Sequence, residues 1–340
     1  MKILILTLTL MLLAPPLPAY EWEHYTMDDG LANNYVRDVA IADDGTVWIA
    51  SSDQLGWAGG LTKWNYNGFT AYYTWNTSGA LISNCVNSVE IAPDGTVWMG
   101  VGTLGSPNGL VGFNEIEWFT YTLDEIFDTT FAVNIHYGID FDYRGYLWGA
   151  PADGGAYYFD GSEFFLYGTE SGSLASAGLY KVLCASDSTV WLTTYNRGVY
   201  QLKDSLLINY NYSDGLLSNR IESIAEDLLG NIWVGTDSGV CYYNDTLWIN
   251  VLDTIIDDYV AVLIDNFNRK WFGYHDEVIC YCDSGYQVFR VDRHERSLVP
   301  RAIKEDEKLY VAAPYNGGLY VLDLTSIEWD LIPLEGIDED

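Results

Sequence analysis

A stretch of about 25 residues that contains a Trp flanked by apolar residues recurs along this chain. This repeat limits the possible folds more than any other feature of the sequence. Copies include DGLANNYVRDVAIADDGTVWIASS from Asp29, GALISNCVNSVEIAPDGTVWMGVG from Gly79 and DGLLSNRIESIAEDLLGNIWVGTDSGV from Asp214. The aligned aromatic anchors lie 38 to 50 residues apart and are Trp48, Trp98, Trp148, Trp191, Trp233, Trp271 and Tyr310. A period of this length is typical of repeat architectures, so the repeat decides the fold class.

Each unit contains strand-length pieces, which in the fifth copy are IESIAED, NIWVGT, GVCYYND and TLWINVLD. Apolar residues alternate within the pieces, and Gly, Asp or Asn separates them, which indicates short antiparallel strands. A single four-stranded sheet leaves both faces in water, whereas a closed ring of sheets buries them against neighbours. The sequence therefore predicts an all-β fold, a seven-bladed β-propeller with four antiparallel strands per blade, with the anchors in its core.

The first nineteen residues differ from the repeat. Lys2 is followed by the apolar run ILILTLTLMLLA and by PPLPA, a pattern typical of a secretory signal peptide. We therefore predict a signal peptide at 1–19 and the propeller at 20–340, in a protein exported to the periplasm or the exterior. No later stretch reaches the roughly 18 apolar residues of a membrane-spanning helix, so we expect no membrane insertion.

The charge is strongly negative, with 16 basic residues against 48 acidic ones and a net charge of −32. Such a surface repels nucleic acid and anionic lipid, which excludes both as partners. The five cysteines have no regular spacing, and we interpret them as mostly buried thiols rather than a disulfide framework.

The two chain ends compete for one place in the ring. EWEHYT at Glu21 and EWDLIP at Glu328 both resemble the fourth-strand motif, as in EWFTYT at Glu117. Either end could supply the outer strand of the last blade, and the sequence leaves this choice open.

The copy from Asp214 to Val240 resembles the two-component regulator propeller repeat. The matching positions are Asp214, Gly215, Leu216, Ser218, Asn219, Ile224, Asp227, Gly230, Trp233, Gly235, Thr236 and Gly239. In that family the propellers form the periplasmic sensor half of hybrid histidine kinases and often sense oligosaccharides. No kinase or connector domain follows the seventh repeat here, so the resemblance implies a stand-alone secreted propeller with a tendency to bind ligands.

Two features indicate a binding site on the face that carries the DGLxSN connections. Trp57 lies in the long Gly-rich loop SSDQLGWAGG and matches no repeat position, so it could stack on a sugar or fold over its own blade. The second feature is a set of polar residues at the entry to the innermost strands. These are Arg37, Asp38, Asn87, His136, Lys181, Arg220, Glu222 and Arg301.

The candidate ligand-binding residues are thus Arg37, Asn87, His136, Lys181, Arg220, Glu222 and Trp57. Arg37, Lys181 and Arg220 would form a positive pocket that accepts a small anion such as an acidic oligosaccharide, and a solvated rim without ligand is the alternative. The histidines and acidic residues lack zinc or calcium spacing, so we predict no metal, no cofactor and no catalytic residue.

Three functions remain open. The first is a monomeric, sensor-like propeller that binds a small molecule, an oligosaccharide or a partner protein. The second is a propeller enzyme of the lactonase, lyase or glycosidase type, with its site in the channel. The third is a structural role in a cell-surface assembly.

Overall fold

The computed structural model describes residues 20–53, 58–65, 67–103, 107–127, 136–152, 155–168, 174, 177–204, 206–252, 260–282, 284–291, 299–304, 308–315, 317–329 and 331–332, with backbone only at 136, 137 and 299–304. Within these ranges no helix is long and apolar enough to cross a membrane. The signal peptide falls on residues outside them, and the boundaries 1–19 and 20–340 stay predictions.

The described residues form seven four-stranded antiparallel sheets, which are the blades of a β-propeller. A first strand, β1 (Trp22–Tyr25), precedes blade one. Blade one contains β2 (Val36–Ile41), β3 (Val47–Ser52), β4 (Gly59–Asn65) and β5 (Gly68–Tyr72), and blade two contains β6 (Val86–Ile91), β7 (Val97–Val101), β8 (Gly109–Phe113) and β9 (Trp118–Thr122). Blade three contains β10 (His136–Phe141), β11 (Leu147–Pro151), β12 (Ala156–Phe159) and β13 (Phe164–Tyr167).

The remaining blades follow the same order. Blade four contains β14 (Leu179–Cys184), β15 (Val190–Thr194), β16 (Val199–Lys203) and β17 (Leu206–Tyr210), and blade five contains β18 (Ile221–Glu226), β19 (Ile232–Thr236), β20 (Gly239–Tyr243) and β21 (Trp248–Leu252). Blade six contains β22 (Ala261–Ile264), β23 (Lys270–Tyr274), β24 (Glu277–Cys282) and β25 (Gly285–Arg290), and blade seven contains β26 (Val299–Lys304), β27 (Lys308–Ala313) and β28 (Gly318–Asp323). A short helix, α1 (Leu123–Phe127), and two single 3-10 turns, Tyr212–Asp214 and Leu324–Ser326, depart from the predicted all-strand pattern in the described part of the chain.

The N-terminal strand closes the ring. β1 pairs antiparallel with β28 and becomes the fourth strand of blade seven, with Trp22 opposite Leu322. The C-terminal segment instead lies on blade six, where Ile332 and Tyr286 exchange backbone hydrogen bonds of 2.8 and 3.0 Å. The N-terminal strand therefore supplies the outer strand of blade seven, and the C-terminal segment pairs with blade six instead.

The aromatic anchors lie in the core, as predicted, since all seven are at most 9% exposed. In blades three, five and six the residue six positions before the anchor is Asp, and its carboxylate accepts the Trp indole N–H at 2.9–3.0 Å. In blades one, two and four Ala takes that position, and a later Asp of the turn bonds the backbone of a Thr. Each hairpin is thus held by its own local chemistry.

The DGLxxN segment of the repeat is structural. In the copy at Asp214 the Asp side chain accepts from Asn211 N at 2.9 Å, and Gly215 adopts a φ of 110° that favours glycine. The side-chain oxygen of Asn219 accepts from Tyr212 N at 2.6 Å, while its carbonyl accepts from Gly198 N at 2.8 Å. The copy at Asp29 makes the equivalent bonds. In these two copies the Asp and Asn residues fasten the connection to the preceding blade.

The five cysteines are free thiols, as predicted. Cys85, Cys241 and Cys280 are buried, and Cys184 and Cys282 are half-buried.

Candidate functional site on the connection face

The strand registers define two faces of the propeller. Val36 at the start of β2 pairs with Ser51, Ser52 pairs with Gly59, and Tyr72 at the end of β5 pairs with Leu61. The links between blades, the loops between second and third strands and the start of each first strand therefore share one face, which we call the connection face. The turns between first and second strands lie on the opposite side, the hairpin face.

A β-bulge interrupts the first strand close to the connection face in every blade except blade six, whose described first strand begins only at Ala261. A bulge adds a residue without a ladder partner and redirects its side chain. The bulged residues are Arg37, Asn87, Tyr137, Lys181 (with Tyr180), Glu222 and Arg301. Most of the polar residues selected from the sequence thus occupy one recurring backbone feature around the channel mouth.

The ring of first strands keeps these bulges close to one another. Each first strand contacts the next, and β26 contacts β2, so the seven strands surround the channel. Gly138, directly after the bulge of β10, shows how tight the contact is, because a Cβ there would lie 2.8 Å from Lys181 Cα.

Arg37 and Asn87 support their own blades. Arg37 Nε donates to Ser52 O at 2.8 Å, and Asn87 Nδ2 donates to Gly102 O at 2.8 Å, in both cases fifteen residues further along the chain. The two side chains therefore serve the same purpose, which is to satisfy a carbonyl where the second strand ends. Asp38 points away from the mouth and accepts from Val89 N of the next blade at 3.3 Å.

The structure brings Arg220, Glu222 and Tyr195 into one cluster at blades four and five. Arg220 Nε lies 2.5 Å from Glu222 Oε1, and the Glu222 side chain is 2% exposed. The Arg220 guanidinium also lies 4.7 Å from the ring centroid of Tyr195, and its Nη2 donates to the Tyr195 hydroxyl at 3.3 Å. Tyr180 touches Tyr195 edge-on at 6.3 Å, and Lys181 Nζ lies 5.9 Å from the ring of Tyr180.

The ion pair fixes the charge and orientation of Arg220. Burial by itself would lower the pKa of Arg220, but Glu222, Tyr195 and Asp237 together outweigh it and raise that pKa above its ordinary value. Because Glu222 holds one edge of the guanidinium and Tyr195 covers one of its planes, the group is oriented before any ligand arrives. The cluster is thus less positive than the sequence predicted, and it combines a cation with an exposed ring.

Sequence reasoning missed the exposed aromatic residues of this face. Trp75 and Tyr212 lie in connections between blades and are 74% and 69% exposed, while Tyr195 and Tyr315 lie in loops between second and third strands and are 53% and 45% exposed. Trp75 stacks on Tyr73 with centroids 5.5 Å apart and planes at 11°. The signal was available, because all four lie off the repeat pattern, which is the criterion that selected Trp57.

Two candidates, Trp57 and His136, cannot be assigned a side-chain position. Trp57 lies outside the described residues. His136 begins β10 opposite Pro151, and the structure describes its backbone but not its side chain. Among the described residues, no group of three or more His, Cys, Asp or Glu side chains is arranged to hold a metal ion.

Comparison with known families identifies the repeat. The profile of the family described as "Two component regulator propeller" matches residues 30–53. Residues 30–53 carry the two component regulator propeller repeat. The matched segment runs from Gly30 through β2 and β3 of blade one, so it includes the anchor Trp48 and all of a DGLxxN segment except its first residue, Asp29.

Solved structures share the propeller fold of this chain. The extracellular domain of BT3049, described as a hybrid two component system of B. thetaiotaomicron, is 19% identical with a TM-score of 0.74 over 89% of this chain, which spans 42% of that protein. Virginiamycin B lyase from Staphylococcus aureus is 14% identical with a TM-score of 0.70, covering 90% of this chain and 99% of the lyase. PorZ, a surface component of the type-IX secretion system of Porphyromonas gingivalis, is 16% identical with a TM-score of 0.67, covering 87% of this chain and 47% of PorZ. No curated protein matches the sequence.

Proposed function

We propose that this protein is an exported, sensor-like propeller that binds an oligosaccharide on its connection face. The observation that carries the proposal is the half-exposed ring of Tyr195 on the Arg220–Glu222 ion pair. An exposed aromatic ring stacks on the apolar face of a sugar, and a preoriented guanidinium donates parallel hydrogen bonds to a carboxylate. An acidic sugar such as a uronate supplies both groups.

The other exposed rings extend the same surface. The Tyr73–Trp75 stack lies in the link from blade one to blade two, and Tyr212 lies in the link from blade four to blade five. Rings spaced around one face suit a ligand of several sugar units. The similarity to an extracellular domain of a two component system supports export and sensing, and the signal peptide at 1–19 is part of this proposal. We expect the protein to act as a monomer.

The test is calorimetric titration with acidic and neutral oligosaccharides chosen from a glycan array. Tyr195→Ala is expected to weaken binding by about 1 kcal/mol through lost stacking. Arg220→Ala is expected to weaken the binding of acidic glycans by about 1.5–3 kcal/mol, because a charged hydrogen bond is lost.

The matched control is Tyr143→Ala, since Tyr143 is 72% exposed but lies in a turn on the hairpin face. That variant should bind as the wild type does. Binding that survives both connection-face substitutions, or that Tyr143→Ala weakens equally, contradicts the proposed site. Tight binding of neutral glycans alone contradicts the acidic ligand.

A further inference from the structure

The hairpin face has its own opening, a cavity of about 590 Å³ between blades one, two and three. Its walls include Ile41, Ile91 and Phe141, which are the last residues of three successive first strands. The cavity therefore lies at the mouth of the channel opposite to the connection face. Its volume is in the range of small-molecule sites, and its walls are partly apolar, as in such sites.

Glu90 lines this cavity at a position that five of the seven copies fill with apolar residues. It is the cross-strand partner of the anchor Trp98. The equivalent partners of the other anchors are Ala40, Leu183, Ala225, Leu263, Ala302 and the second exception, Asp140. Since moving a carboxylate out of water destabilises a fold, a carboxylate here needs a reason other than stability.

Asp38 and Asp140 are carboxylates of the first strands that have a structural role, whereas Glu90 has no comparable role. Asp38 accepts from Val89 N of blade two at 3.3 Å, and Asp140 accepts from Cys184 N of blade four at 2.7 Å, so each joins its blade to the next. Glu90 accepts from the N–H of Ile91, its own neighbour, at 3.2 Å. That bond joins no two blades.

The charges around Glu90 are mostly negative. Asp38 of β2 and Asp140 of β10 repel its carboxylate, and Lys181 of β14 attracts it. Burial, together with the nearby Asp140 carboxylate, raises the pKa of Glu90 to about 8. Asp43 and Glu115 add carboxylates to the lining of the cavity, where Glu115 pairs with Lys63 at 2.5 Å.

We propose that the hairpin-face cavity binds an organic cation, an ammonium group on an apolar body, with Glu90 as its counter-charge. Ile41, Ile91 and Phe141 would contact the apolar body, and the acidic lining would attract the cation. A hard metal ion fits less well, because such ions require several oxygen ligands, and the described residues offer no group of three. This site is separate from the oligosaccharide site proposed on the other face.

The probe pair is benzylammonium chloride and benzyl alcohol, which have the same apolar body and differ in charge. A cation binds the ionised form of Glu90, so its affinity should rise about tenfold for each pH unit from pH 6 to 8 and then level off. Benzyl alcohol should bind more weakly and without this pH dependence. Calorimetry at pH 7 in buffers of different ionisation enthalpy should detect proton release with benzylammonium alone.

The decisive variant is Glu90→Gln, which keeps the side-chain shape and removes the charge. It should weaken benzylammonium binding at pH 8 by at least about tenfold, the effect of one lost charged hydrogen bond. It should leave only the weaker pH dependence that comes from Asp140, whose pKa burial raises to about 7. The matched control is Glu163→Gln, an exposed carboxylate in the turn between β12 and β13 on the same face, which should bind as the wild type does.

Three results would overturn the proposal: equal binding of benzyl alcohol, unchanged binding by Glu90→Gln, or binding of calcium chloride with no response to benzylammonium. Thermal melting of each variant confirms that it is folded. Loss of oligosaccharide binding would leave these results unaffected, so the two proposals can fail independently.

Discussion

Lys270 of blade six reaches across to Asp227 of blade five. The Lys270 Nζ lies 3.7 Å from Asp227 Oδ2 and 5.3 Å from the ring of Trp233. The side chains of Lys270 and Asp227 are 5% and 2% exposed. The same Asp227 oxygen accepts the indole N–H of Trp233 at 2.9 Å. One carboxylate thus holds a hairpin, an anchor and the neighbouring blade together.

Asp227→Ala should therefore be strongly destabilising. It leaves the buried Lys270 ammonium without its counter-charge, which should lower the free energy of unfolding by about 3–5 kcal/mol. The double variant Asp227→Ala with Lys270→Met should recover part of this stability, because it removes the unpaired charge. The control is Asp94→Ala in the polar hairpin of blade two, where a turn hydrogen bond worth about 1 kcal/mol is lost. Urea unfolding measures all three, and equal losses for Asp227 and Asp94 would show that the inter-blade pair contributes nothing.

Acid should weaken the same contacts. Burial by itself would raise the pKa of Asp227, but hydrogen bonds from Asn231 and Trp233 lower it below its ordinary value. A lowered folded-state pKa means that the stabilisation is present above the unfolded pKa, about 4, and is lost as the pH falls through and below it. We expect the wild type to lose stability below that pH more steeply than Asp227→Ala does, measured by urea unfolding at pH 5 and pH 3.

Glu90 should have the opposite pH dependence. Its folded-state pKa is raised to about 8, so its contribution is fully favourable below the unfolded pKa and is lost as the pH rises to about 8. Glu90→Gln should therefore be more stable than the wild type at pH 8.5, by at least about 1 kcal/mol, and nearly equal to it at pH 4.5. Thermal melts at the two pH values measure this, and a stability difference that does not change with pH would argue against a raised pKa of the half-buried Glu90 carboxylate.

The anchors should dominate stability. Trp233 is 4% exposed and stacks on Tyr242 with centroids 4.7 Å apart, so Trp233→Ala should cost about 3–5 kcal/mol through the cavity it leaves. Trp75→Ala on the connection face should cost less than about 1 kcal/mol, and we expect the same of Trp57→Ala. Similar denaturation midpoints for Trp233→Ala and Trp75→Ala would contradict this assignment of core and surface.

The two chain ends should contribute unequally. A chain lacking residues 20–26 exposes Tyr320, which His24 covers at a centroid distance of 4.4 Å, and leaves blade seven without its fourth strand. A chain ending at Ser326 loses Trp329, whose ring lies 6.1 Å from that of Trp271, and the bond of Ile332 to Tyr286. We expect the N-terminal deletion to cost about 3 kcal/mol or more and the C-terminal one less, by thermal melting. A larger loss from the C-terminal deletion would contradict closure by β1.

The sequence by itself determined the number of blades, their strands and the core anchors. These follow from periodicity, since a Trp every 38 to 50 residues and alternating apolar residues between them can be satisfied by one kind of packing. Even the off-pattern residues were visible, because Glu90 and Trp75 stand out once the copies are aligned, although Trp57 was the one selected.

Tertiary structure alone decided which side chains meet. The bulges at Arg37 and Glu222 depend on the register of pairing, and the Arg220–Glu222 pair depends on the direction in which a bulge turns one side chain. Closure by β1 rather than by the C-terminal segment depends on how both ends pack on blades six and seven. The Arg220–Glu222 pair is local in sequence, but it forms only in the bulged backbone of a paired strand. The contacts that close the ring join residues far apart in the chain, and their geometry is fixed only when each blade is packed against the next.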